Sequence, residues 1–207
     1  MFARLLATFA LVIGTVSAGS TDTDLVVYLK TAANQPAAPL NHMKRELATL
    51  MKTAGYRVQW GDESADSVLA VVELNGTCTM PAGFDAASGS DTGASLATTN
   101  VTDGQVLPFS AVNCAALTRS LAPALLKDAG TQRDFLYGRA LARVVAHELY
   151  HILMRTTEHA RSGIARSCFS TEDLLTERFD FEGAVLAQMR RKPDGSSAIA
   201  FTEDSDR

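Results

Sequence analysis

The sequence predicts a single α+β domain in which a small mixed or antiparallel sheet packs on one long helix. Three observations lead there. Short β-branched runs fill the first half of the chain, a broad apolar face of 3.6-residue period runs from Thr131 to about Met154, and 46% of the 207 residues are hydrophobic against 20% charged. That balance excludes wholesale disorder, collagen and coiled coil. A formal charge of −4 offers no basic stripe for phosphates, so no nucleic-acid partner is expected.

Residues 1–18 read as a secretory signal, with Arg4 in the positive region, an apolar run from Leu5 to Val16 and the small-residue site Val16-Ser17-Ala18. A run of about twelve residues is shorter than the ~17–25 that span a bilayer, so no stable membrane insertion is expected once the leader is removed. Residues 19–195 then form one domain and residues 196–207 a flexible tail, in a protein that is secreted or periplasmic. In such a compartment disulfides persist, and of three cysteines the expected pair is Cys78–Cys114, leaving Cys168 free as a small buried hydrophobe.

Leu25 to Lys30 is the first strand by its β-branched content. Met43, Leu47, Leu50 and Met51 have helical spacing between an Asn41 cap and a Gly55 stop. Tyr56 to Trp60 and Ser67 to Leu74 are two further strands, the second nearly continuously apolar and therefore central. Gly76 to Gly104 is small and polar, which predicts a long surface excursion. Val106 to Cys114 returns to strand composition, and Pro108 assigns it to a sheet edge or to an early bulge, so that it is the strand to receive an extended substrate. The long helix follows from a Thr131 and Asp134 cap; a polar connection from Thr156 to Cys168 and a helix opening on Ser170-Thr171-Glu172-Asp173 complete the domain.

Three of the four histidines, His147, His151 and His159, fall within thirteen residues. His147-Glu148-Leu149-Tyr150-His151 is an H-E-x-x-H inside the helical pattern. Positions four apart share a helix face, so both imidazoles can turn to one ion. Glu148, one residue round, can reach an activated water as general base without being a ligand. Zinc needs a third protein ligand: His159 is preferred, and a carboxylate from the next helix, Glu172 or Glu177, is the rival. Tyr150, Tyr137 or a backbone N–H are the oxyanion donors to consider, and a Cys78 thiolate is a second, latent-state ligand to set against its disulfide. The sequons at Asn75 and Asn100 matter only where the source glycosylates, and Arg190-Arg191-Lys192 is a solvated helix end.

The stretch from His147 to Ala165, HELYHILMRTTEHARSGIA, resembles the signature of the metzincin-type zinc peptidases, in which two helix histidines are followed by a third and by a tight turn carrying a methionine. Here the third histidine comes eight residues after the second instead of six, no glycine lies between them, and Ala165 stands where the turn methionine is expected. The resemblance implies a zincin-like fold, zinc held by His147, His151 and His159, Glu148 as catalytic base, and a zinc-activated water that hydrolyses a peptide or protein substrate. The alternative from another class is an exported, non-catalytic binding module in which zinc only fixes the connection from Thr156 to Cys168.

Overall fold

The computed structural model describes residues 22–32, 34–61, 68–81, 84 and 94–191. The leader at residues 1–18 and the tail at residues 196–207 lie outside the described residues. Among the described residues no helix is long and apolar enough to cross a membrane.

The elements run β1 (Thr23–Thr31), α1 (Ala37–Thr53), β2 (Tyr56–Trp60), β3 (Val68–Asn75), β4 (Ala97–Thr102), β5 (Gln105–Asn113), α2 (Cys114–Leu125), α3 (Gly130–Met154), α4 (Thr171–Leu175) and α5 (Gly183–Arg190). They form a mixed α/β arrangement around one five-stranded sheet of order β2-β1-β3-β5-β4. Four strands are parallel and β4 is antiparallel to β5, so the sheet is mixed and the purely antiparallel option is overturned.

Alternation along the strands decides which face is covered. Leu25 and Val27 of β1, Ala70, Val72 and Leu74 of β3 and Val112 of β5 are buried with Met43, Leu47, Leu50 and Met51 of α1 and the apolar positions of α3. Tyr28 and Phe109 on the opposite face are exposed. α1 and α3 pack closely because Gly138 has no side chain: a Cβ there would lie 2.5 Å from both His42 Cβ and Pro39 O.

Five sequence expectations need correction. The excursion after Gly76 contains β4, whose return to β5 runs through Asp103 and Gly104, both at positive φ (52° and 76°) as a two-residue hairpin turn requires. β5 is accordingly flanked on both sides, and the edge open to an extended peptide belongs to β4. Pro108 instead occupies the bulge: pairing with β4 slips between Thr99 and Val101, and pairing with β3 begins at Phe109, so its missing N–H breaks no ladder. Cys114 opens α2 instead of closing the strand, with Asn113 Oδ1 accepting from Ala116 N at 3.0 Å. Finally, α1 starts at Ala37 behind Pro36, which makes Asn41 an interior residue, and α3 starts at Gly130 with no side-chain cap from Thr131.

Candidate metal centre

α3 buries nearly all its residues from Tyr137 onward, including His147 (8% exposed), Glu148 (4%) and His151 (7%). Polar groups buried so deeply need partners, and each has one. His147 Nδ1 lies 2.7 Å from Ile164 O, and His151 Nδ1 lies 2.7 Å from Thr156 O. Carbonyl oxygens only accept, so each Nδ1 carries the proton and donates it, and each Nε2 keeps its lone pair. The two Nε2 atoms face one another at 3.0 Å.

The end of α3 brings in the third ring. Arg155 N bonds to Ile152 O, Thr156 N bonds to His151 O, and Arg155 adopts φ 48°, ψ 44°: a Schellman ending with arginine in the left-handed place where glycine is usual. The chain turns back beneath the helix, and His159, exposed, comes to 5.3 Å from His147 and 4.8 Å from His151 between ring centroids. One donor atom from each of the three histidines lies within 4.8 Å of the others. Glu172 and Glu177 are exposed and stand outside this cluster.

A tight turn follows. Arg166 N bonds to Gly163 O, Ile164 N to Asp180 O and Ala160 N to Ala165 O, with Gly163 at φ 67° bridged to Phe181. The turn thus forms with Ala165, fully buried, in the place of the expected methionine. It delivers the Ile164 carbonyl to His147. Phe169 then closes edge-on against the His147 ring at 5.4 Å.

Register accounts for the last member. Ala97 pairs with Val112 and Thr99 with Ser110, so Thr99 shares the covered face with those two buried residues. Its Oγ1 donates to Glu148 Oε2 at 2.6 Å. Burial raises the Glu148 carboxyl to about 7, against the pull of that hydrogen bond. Burial likewise holds His147 down to about 4 and lowers His151, with neighbouring imidazoles adding to both.

These observations test whether a metal ion suits the residues present. Two neutral imidazoles with lone pairs 3.0 Å apart repel unless an electrophile lies between them. A proton is a poor one here, because burial already disfavours the imidazolium at neutral pH. A divalent ion fits: two nitrogens at ~2.0–2.1 Å from a tetrahedral centre are about 3.3 Å apart, and backbone acceptors on Nδ1 are the usual support for ligating histidines. Three histidines here can hold a metal ion.

The other residues singled out from sequence fall elsewhere. Tyr137 is fully buried, with its hydroxyl 3.0 Å from Thr118 Oγ1 and donating to Cys114 O, which removes it as an oxyanion donor. Tyr150 is buried, with its ring 5.3 Å from that of His151. Cys78 is bridged to Cys114, as expected, and has no thiolate to offer a metal. Cys168 is free but exposed, contrary to the expected buried role. Arg190 does more than meet solvent: it donates to Thr53 O at the end of α1. Comparison with known proteins gives no matching family model, no matching curated protein and no matching solved structure.

Proposed function

We propose that the chain is an exported, zinc-dependent metallopeptidase of zincin-like, metzincin-related fold, with His147, His151 and His159 as ligands and Glu148 as general base. The observation that carries the reading is the pair of lone-pair-bearing Nε2 atoms 3.0 Å apart, each fixed by a backbone acceptor, beside a buried carboxylate held by Thr99. Three imidazoles with a fourth position left for water are a ligand set that suits zinc.

Zinc at this place supplies Lewis acidity, making a water more acidic and a peptide carbonyl more electrophilic. The chain's own contribution is positional. Glu148 follows His147 directly, so its carboxylate stands beside the cluster without entering it. Thr99 aims that carboxylate and leaves Oε1 to accept a proton and return it to the leaving amine. In the metal-free protein burial raises that carboxyl to about 7, so the site favours its taking up a proton. Ala97 of β4 lines a cleft together with His147 and Glu148, and the free edge of β4 can pair with an extended peptide. Export is supported by the Cys78–Cys114 bridge, which an oxidising compartment preserves, together with the leader-like residues 1–18.

Glu148→Gln tests the reading. The variant is expected to bind zinc stoichiometrically, as wild type does, and to lose hydrolysis of a broad peptide library. Full residual hydrolysis overturns the general-base assignment, and stoichiometric zinc without any turnover by wild type turns the assignment to a zinc-stabilised binding module.

A further inference from the structure

A cleft of about 560 Å³ opens beside His147 and Glu148, within the size range of ligand pockets. Its walls are apolar where Val144, Ala116 and Phe169 line it. One cation lines it: Arg119, from α2, on the same helix face as Ala116 three residues back, with Ser120 also in the lining; Arg119 borders a neighbouring cleft beside Thr79 and Phe84 as well.

Arg119 differs from the other arginines around it. Arg139 and Arg143 reach Glu46 and the carbonyls of α4, and Arg166 pairs with Asp173. Among the described residues Arg119 has no ion-pair partner; its Nε is buried without an acceptor, as are those of Arg139 and Arg143, but the terminal nitrogens of those two are engaged. An orphaned buried donor is costly, and a guanidinium offers a planar fork that matches a carboxylate. Ser120 and Ser167 add hydroxyls to the same lining. The carboxylate of Glu148 lines the cleft too, on the α3 side, but Thr99 engages it.

We propose that Arg119 selects substrates with an acidic side chain, Glu or Asp, on the residue adjoining the cleaved bond. The inference rests on the peptidase reading, and it names the substrate class of that same site. His147 and Glu148 both line the cleft, so a side chain seated in it belongs to a residue next to the reacting carbonyl. Its apolar walls take the methylenes, and Arg119 takes the carboxylate. A neutral amide of the same shape leaves the guanidinium unpaired and is rejected accordingly.

The test measures binding separately from turnover. Two labelled peptides, identical except for Glu or Gln at one position, are titrated into zinc-loaded Glu148→Gln protein, and the same pair is offered to wild type for hydrolysis. The Glu peptide is expected to bind about 10-fold more tightly, Arg119→Gln to equalise the pair, and Arg119→Glu to favour a Lys peptide instead. Arg119→Lys, which keeps the charge and loses the fork, gives a second variant should the others fold poorly; a partial preference is expected. Hydrolysis with no acidic preference overturns the role of Arg119 and leaves the peptidase reading standing. An Arg119-dependent acidic preference in binding, with no hydrolysis by wild type, overturns the peptidase reading and leaves Arg119 as the recognition residue.

Discussion

Thr99 on the edge strand donates its hydroxyl proton to Glu148 on the central helix at 2.6 Å, joining two residues 49 positions apart across the cleft. Burial raises the Glu148 carboxyl from 4.5 to about 7 in the metal-free protein, and the Thr99 hydroxyl opposes that rise. A group whose folded-state value is raised contributes stability that is fully present below its unfolded value, near 4.5, and is lost as pH climbs through about 7. Metal-free Glu148→Gln is therefore expected to match wild type near pH 4.5 and to exceed it at pH 8 by on the order of 2–3 kcal/mol. Thr99→Val, which removes the hydrogen bond, steepens the loss above neutrality. His147 acts in the opposite sense: its folded value lies below 6.5, so stability falls as pH drops from 6.5 towards about 4, in both proteins alike. Urea unfolding of the metal-free proteins across pH 4–8 reads the difference, and parallel curves would show that the carboxylate is not held against its ionisation.

Much of this arrangement was legible in the sequence because its signals are local. The helix through His147 and His151 announces itself by period, that histidine pair by spacing, and the third histidine by proximity in the chain. Thr99 is silent for a physical reason: Ala97–Thr102 carries only Ala97 and Val101 as apolar residues, and on its covered face Ala97 meets the core while Thr99 meets the Glu148 carboxylate. The available signal was Asp103-Gly104, a two-residue hairpin turn followed by the apolar strand β5. α2 hides similarly. Leu117, Leu121 and Leu125 have helical spacing behind an Asn113 cap, but Pro123 interrupts the pattern with a helix-breaking residue. The backbone carbonyls of Ile164 and Thr156, which fix both imidazoles, carry no side-chain signature at all.

Gly163 connects backbone conformation to the orientation of His147. Its φ is 67°, and a Cβ there would stand 2.5 Å from Asp180 O and 2.9 Å from Glu182 N. Gly163→Ala must displace the turn and with it the Ile164 oxygen that orients His147. We expect zinc to bind about 10–100-fold more weakly, the size typical of losing such a supporting partner. Gly61→Ala is the control: it too has positive φ (87°), but a Cβ meets nothing within 4 Å, so strain without displacement should leave zinc affinity unchanged. Competition with a chromophoric chelator measures both, and equal affinities would sever the turn from the site.

The left-handed end of α3 is occupied by an arginine at φ 48°. An L-residue with a Cβ is strained there by roughly 1–2 kcal/mol, whereas glycine is not. Arg155→Gly is therefore expected to raise stability by about 1 kcal/mol, the gain being offset partly by the greater freedom of glycine in the unfolded chain. Zinc content should be unaltered, because His159 reaches the cluster through the same Schellman ending. Thermal unfolding with metal analysis checks this; a destabilised variant would mean that the arginine side chain, not the backbone, secures the turn.

The disulfide joins Cys78, three residues beyond β3, to Cys114 at the start of α2 across 36 positions. Closing a loop of that length restricts the unfolded chain and is worth ~3–4 kcal/mol on the chain-entropy scale. Cys78→Ser with Cys114→Ser should lose that stability, and a reductant should bring wild type to the same unfolding midpoint while leaving the double variant unmoved. Because the bridge anchors α2, the variant is also expected to discriminate acidic from neutral peptides less sharply, with zinc stoichiometry intact. Unchanged midpoints with and without reductant would remove the bridge from the folded protein's stability.

His159 is the most distinctive placement in the centre, because it alone is exposed and comes from irregular chain beyond the helix. If it is the third ligand, His159→Ala leaves two imidazoles and should lower zinc affinity far more than any substitution on α4. Glu172→Gln and Glu177→Gln, both exposed and outside the cluster, should retain one zinc per chain. Metal analysis after dialysis against a weak chelator separates the cases. Loss in His159→Ala alone assigns the ligand. Loss in Glu172→Gln or Glu177→Gln, with His159→Ala still loaded, would require the segment after Ser170 to fold over the ion and would replace the third imidazole by a carboxylate, changing the charge of the centre and weakening its grip on the acidity of any water it holds.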